Sequence, residues 1–406
     1  MNAPADGPAA AVDSAHAAGN PMPPELKRIW AEVQAFQANA AARAATAAAW
    51  AKQVDSIRKA VPSATVEDDG ETVRIGPLSP GCAACKAGQW DCMFVTTRCN
   101  LDCAFCLRPR DFALPPMYSA LGSDLDVLCA RYAQAGVSGA SFSGGEPFLE
   151  PASVLAWLGA LRRRFPRMYL WAYTNGLTLS AELLAQLAET GLDELRFNLA
   201  ATGYRHPQAN RTLREAVARL PAVAVEIPAI PEQAHLLLES LGDWAAAGVK
   251  YLNLHELVYE PCTHSGGMAG ARTSCTMPDG HGCAVHPGSA ELIRQVLARV
   301  VRDGLSLAVN DCSLRNKARQ MRGRRRLLAP FTLQPYERLL DGGQAECACL
   351  YGAERITWIH PEALAQPDGL GNGRRAVRLR RQLPLAPGQP GQWISFESMG
   401  ADHGGR

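Results

Sequence analysis

Residues 98–107 read RCNLDCAFCL and set Cys99, Cys103 and Cys106 at C-x3-C-x2-C spacing. Three soft thiolates on one short loop, between a strand-like run and a polar turn, suit an iron–sulfur cluster, which ordinarily takes four protein ligands. A cluster one ligand short keeps an iron free to bind a substrate or cofactor, so the spacing points to chemistry at the metal. Zinc is the competing reading, although zinc sites usually bring ligands in C-x2-C pairs.

About 40 residues on, residues 137–148 read VSGASFSGGEPF, a short β-prone run that ends in Gly144, Gly145, Glu146 and Pro147. Adjacent glycines let a backbone turn sharply and approach a neighbour with no Cβ in the way. The two runs in this order, with Phe105 just before the last cysteine, resemble the signature of radical S-adenosylmethionine (radical SAM) enzymes. The resemblance implies a 4Fe-4S cluster on Cys99, Cys103 and Cys106. It also implies S-adenosylmethionine chelated at the open iron, with Gly144, Gly145 and Glu146 helping to seat it. Reductive cleavage would then yield a 5′-deoxyadenosyl radical, fed by an electron donor such as flavodoxin or ferredoxin.

The 406 residues are 47% hydrophobic and 20% charged with a net charge of +2, which is ordinary globular composition and names no partner. The N-terminus lacks the basic and apolar regions of a signal peptide. No apolar stretch approaches the roughly 20 residues that span a bilayer. A cytoplasmic protein without a membrane partner is expected, its thiols reduced and used for metal before disulfides.

Residues 1–24 are rich in Ala, Pro and Gly and are expected to be disordered. Residues 25–89 form a helical and hairpin extension, helical to about Ala60, with a hairpin signal at Asp69-Gly70. Between 90 and 311 strand, turn and helix alternate. Strands are expected at 93–97, 139–143, 169–173, 194–199, 223–227 and 251–254, with 305–309 as an extra one. Such alternation favours a parallel α/β sheet, and the resemblance implies a partial (β/α)6 radical SAM barrel. Residues 312–406 are a C-terminal, cysteine-containing extension.

Ligands gather at the C-terminal ends of strands in parallel barrels. Thr174, Asn175, Gly176, Asn198, Thr202, Glu226, Asn253, His255 and Glu256 fall at such ends. Asn175 and Asn198 are the preferred cofactor contacts.

The chain holds 13 cysteines, more than the triad uses. Cys82, Cys85 and Cys92 stand at C-x2-C-x6-C just ahead of it and are candidates for an auxiliary iron–sulfur cluster, with Cys312, Cys347 and Cys349 as distant ligands. Free thiols are the alternative. Residues 255–287 hold Cys262, His264, Cys275, His281, Cys283 and His286 in a Gly-rich stretch without helical or strand period. A substrate lid, a metal site and an ordinary insertion are the readings open to so long a loop. Arginines crowd 315–327 and 374–382, where a solvated face competes with phosphate, carboxylate or RNA binding.

A radical SAM enzyme acting on a small molecule or peptide is thus expected. RNA modification, activation of a glycyl-radical enzyme, and a non-catalytic iron–sulfur carrier or sensor are the alternatives.

Overall fold

The computed structural model describes residues 22–108, 114–261, 263–351, 356–365, 375–385, 389 and 391–399. Residues 1–21, Cys262 and Arg374, which enter the expectations above, lie outside them. The chain divides into two compact units, residues 42–327 and residues 1–41 with 328–406.

The larger unit is built on one nine-stranded sheet. After helix α1 (Pro24–Ala38), which belongs to the smaller unit, come α2 (Ala40–Ala60), the hairpin β1 (Thr65–Glu67) and β2 (Thr72–Ile75), α3 (Pro80–Ala87) and β3 (Trp90–Thr96). The repeating units follow: α4 (Leu125–Ala135), β4 (Gly139–Gly144), α5 (Pro151–Arg164), β5 (Tyr169–Thr174), α6 (Ala181–Thr190), β6 (Glu194–Phe197), α7 (Pro207–Val217), β7 (Ala222–Ala229), α8 (Ala234–Ala247) and β8 (Tyr251–Glu256). Next come β9 (Val258–Tyr259), β10 (Thr273–Thr276), β11 (Gly282–Val285), α9 (Ser289–Arg302), β12 (Ala308–Asp311) and α10 (Leu314–Thr332).

Strands β3 to β8 pair in parallel in chain order, and β12 adds parallel to β8. The β1–β2 hairpin closes that edge antiparallel to β12. Right-handed crossovers of this kind need a helix between neighbours. The helices bury their apolar faces, as Leu237, Leu241 and Trp244 of α8 and Leu292, Ile293, Val296 and Leu297 of α9 illustrate.

The other face of the sheet is polar: Arg196 bonds Glu226 at 2.7 Å, Asn253 bonds Glu226 at 3.1 Å, and Asn310 bonds Asn253 at 3.2 Å. Helix α3 packs on this face. Ser79 caps it by accepting from the Cys82 amide and donates to Glu194 at 2.6 Å, and Gly88 ends it at φ 77°. A Cβ on Gly81 would lie 2.6 Å from Arg196 and 3.1 Å from Trp171, so only glycine permits the approach.

Cys82 and Cys85 lie on α3, within the extension expected to be helical and hairpin. Two expectations change here. Residues 255–287 contain a three-stranded antiparallel sheet, β10-β11-β9, with Cys275 opposite Cys283 in register and joined to it as a disulfide. Strands of two to four residues pair through their backbones and leave little hydrophobic period to read. Five arginines of α10 pair with acids rather than form a solvated face: Arg315 pairs with Asp311, Arg319 with Asp68, Arg322 with Glu71, Arg324 with Asp91 at 2.6 Å and Arg325 with Asp279 at 2.7 Å, while Arg326 is exposed.

In the smaller unit, β13 (Arg338–Leu340), β14 (Gln344–Tyr351), β15 (Ile356–Ile359), β16 (Arg375–Gln382) and β17 (Gln392–Met399) form an antiparallel sheet. Leu26, Ile29 and Val33 of α1 bury against Cys347, Cys349, Val377, Leu379 and Phe396. Met22 joins that core, so the stretch expected to be disordered gives way to packed structure by this residue. The second basic run forms β16, where Arg380 meets Glu346 and Arg381 meets Glu337. The C-terminal extension therefore begins near 328 rather than 312 and is completed by the first helix of the chain.

Candidate active site

The triad sits on the loop after β3, and the loop is held on every side. Gly145 donates its amide to Thr96 O at 2.8 Å and Glu146 donates to Arg98 O at 2.9 Å. Asn175 Nδ2 reaches Asn100 Oδ1 at 2.6 Å, and Arg108 reaches Thr97 O at 2.8 Å. From the insertion after β8, Ser265 donates its amide to Cys106 O at 3.0 Å, and His264 meets Asp102 at 2.8 Å. The Gly-Gly pair is explained by this clamp. Gly144 has φ +127°, and a Cβ on Gly145 would lie 1.9 Å from Arg98 O.

Glu146 is buried and fully engaged. Its carboxylate accepts from the Asn175 amide at 2.8 Å, Thr174 at 3.0 Å, and Phe148 N and Thr178 at 3.3 Å each. Burial nonetheless holds its pKa above the ordinary carboxylate value. The geometry makes it a brace between the ends of β4 and β5. Asn198 caps the turn after β6 by accepting from the Ala201 amide at 3.2 Å.

These groups line one cavity of about 340 Å³. Cys99, Cys103, Cys106, Gly144, Gly145 and Glu146 line it, together with Asn175 and Asn198 at the strand ends. Glu226, His255, Cys312 and Lys317 also line it. Tyr173 lines the cavity as well; Lys317 escaped the sequence reading because it sits inside the basic run, and Tyr173 because it lies within a strand.

The donor set fits an iron–sulfur cluster. Burial pushes the Cys103 thiol up to about 11, helped by repulsion from Cys106 and Cys99, and burial raises Cys99 as well. Crowded thiolates of this kind are relieved by a bound cation. Among the described residues no three His, Cys, Asp or Glu are drawn tightly enough to hold a metal. That holds for the triad as for the remaining thiols, so convergence alone does not rank them.

The six auxiliary candidates are placed differently from one another. Cys82 bonds Asn253 at 3.2 Å on the polar face, and Cys85 and Cys312 are its electrostatic neighbours. Cys92 lies within β3, hydrogen-bonded to Ser141 and Ser143. Cys347 and Cys349 alternate along β14 into the apolar core of the smaller unit, 1% and 0% exposed. They act there as small apolar residues.

Residues 93–221 match the Radical SAM superfamily. A Methanocaldococcus jannaschii protein named as a candidate glycyl-radical enzyme activating enzyme is 27% identical over 277 residues, covering 66% of this chain and 72% of its own. The GTP 3′,8-cyclase of Mycobacterium sp. strain KMS is 32% identical over 116 residues, but the match spans only 32% of that enzyme and 28% of this chain. Among solved structures, the radical S-adenosylmethionine methyltransferase TsrM of Kitasatospora setae aligns at a TM-score of 0.38 and 14% identity, over 55% of this chain and 54% of its own. The matched region runs from within β3 to the residue before β7 and holds both the thiol triad and the Gly-Gly-Glu-Pro segment, so this part of the chain is a domain of the radical SAM superfamily.

Proposed function

We infer that this enzyme acts on a small molecule or on a single residue of a peptide, from which it removes a hydrogen atom. The chamber carries that reading. About 340 Å³, lined by the triad and by Glu226, His255, Cys312 and Lys317, suits a cofactor and a compact reacting group. When bound, the cluster and S-adenosylmethionine supply the radical. The protein's own residues hold and enclose it: the Gly144–Glu146 turn clamps the cluster loop, Asn175 ties Asn100 to the end of β5, and the β9–β11 segment meets the loop through Ser265 and His264. RNA modification loses much of its sequence support, since five arginines of α10 are engaged by acidic partners within the chain.

Anaerobic release of 5′-deoxyadenosine by the reduced, reconstituted protein tests the reading. Low-mass or peptide fractions of a lysate should stimulate release, and the Cys99→Ala/Cys103→Ala/Cys106→Ala variant should release none. Stimulation by RNA alone would overturn the substrate class. Activation of a glycyl-radical enzyme is a second reading, favoured by the similarity to the M. jannaschii protein named for that role. It predicts stimulation by a protein fraction and a radical trapped on that protein.

A further inference from the structure

Apart from thiols and Tyr173, the cavity is lined by five acidic or basic side chains: Glu146, Glu226, His255, Glu256 and Lys317. The chain itself satisfies four of them. Glu146 accepts from the Asn175 amide at 2.8 Å and from Thr174 at 3.0 Å. Glu226 accepts from Arg196 at 2.7 Å and Asn253 at 3.1 Å, and it meets His255 Nε2 at 3.1 Å. Glu256 accepts from the Leu314 amide at 2.8 Å, at the start of α10. Lys317 differs. It is half-buried, about one turn further along α10, and among the described residues it forms no ion pair with a carboxylate, whereas five arginines of the same helix do. An ammonium withdrawn from water is costly unless a counter-charge reaches it. Lys317 shares its cavity with the triad, so that charge can come from what the enzyme binds there.

We propose that Lys317 is a substrate-binding residue that receives a carboxylate of the substrate. This deepens the small-molecule or peptide reading above and rests on it. One ammonium matches one negative charge. Phosphate fits worse, because it carries more charge than one ammonium neutralises, and because Glu256, which already occupies the first amide of α10, lines the same cavity and repels it. Leu257, Val258 and Leu314 line the cavity too, an apolar bed for the carbon body of an acid. Leu314 and Lys317 stand three residues apart on one helix face, so the same stretch of α10 holds both body and carboxylate. Fixing the acid group at one end of the substrate selects which carbon meets the radical.

The test is fluorine NMR of para-fluorophenylacetate and of its neutral amide, titrated anaerobically into the reconstituted, unreduced holoenzyme saturated with S-adenosylmethionine. The acid should bind about ten-fold tighter than the amide, as a charge-assisted hydrogen bond allows. Lys317→Met should erase that preference, and Lys317→Arg, which keeps the charge, should retain most of it. Displacement of the probe by succinate marks a free acid as the natural source of the carboxylate, and displacement by trialanine alone marks a peptide C-terminus. Displacement by neither, or by inorganic phosphate, overturns the carboxylate class. Failure of the acid to bind, equal binding of acid and amide to the parent enzyme, or a preference that survives Lys317→Met overturns the proposal. So does a loss of S-adenosylmethionine affinity or of iron in Lys317→Met, which would give the ammonium to the cofactor or to a cluster at Cys312. No turnover is measured, so the result is separate from the release assay that tests the substrate reading.

Discussion

Gly145 has no room for a side chain, because the atom that alanine would add meets the carbonyl oxygen of Arg98 on the cluster loop. Gly145→Ala should therefore displace the loop rather than unfold the barrel. Iron per protein after anaerobic reconstitution should fall several-fold while far-ultraviolet circular dichroism stays unchanged. Arg196 is a second test at this scale. It lies buried between Glu194 at 2.6 Å and Glu226 at 2.7 Å and stacks on Trp171. Arg196→Met leaves two carboxylates facing each other and should cost about 3–5 kcal/mol in urea unfolding. The sequence showed the triad and the Gly-Gly-Glu-Pro run because their spacing is local. Arg196, Glu226, His255 and Cys312 come together only through strand register, which pairs residues far apart in the chain. A lone residue within each strand carries no such signal.

Among the elements, the strands of the barrel were legible within a few residues, since each is a short apolar run between turn signals. The expected 305–309 strand moves to Ala308–Asp311, because Leu305 follows Gly304 in the turn that ends α9. What the pattern missed were elements whose stability comes from partners. The β10–β11 hairpin is one: Cys283 and Met277 pack with Ala318 and Trp50, and Thr276 bonds Thr46 at 3.0 Å. Deleting residues 266–282 with a short linker keeps Ser265 and its bond to the triad loop. Basal S-adenosylmethionine cleavage should persist while its stimulation by substrate fractions is lost; full stimulation would make the hairpin dispensable. Strand β14 gives the opposite kind of test. Cys347→Ala with Cys349→Ala removes two buried sulfurs from an apolar core and should cost about 1–3 kcal/mol, with iron content unchanged. A loss of iron would restore them as cluster ligands.

For the molecule as a whole, the polar barrel face should set the acid limit. Burial disfavours the Glu226 carboxylate, yet Arg196 and His255 hold its pKa well below the ordinary range. A depressed carboxylate adds stability that is present above its unfolded value and lost as pH falls toward the folded one. The urea midpoint should therefore drop on acidification from about pH 5 downward, and Glu226→Gln should flatten that slope while lowering the midpoint at neutral pH. An unchanged slope would assign acid sensitivity elsewhere.

The pairing of α1 with β14, β16 and β17 has a consequence for biosynthesis. The helix is among the first parts of the described chain to leave the ribosome, and the strands that cover Leu26, Ile29 and Val33 are among the last. Residues 39–343 are made in between. Nascent chains fold from the N-terminus as domains emerge, so the barrel can form while this apolar stripe still waits for its partner. Leu26, Ile29 and Val33 therefore stay uncovered by their native partners until β14, β16 and β17 are made.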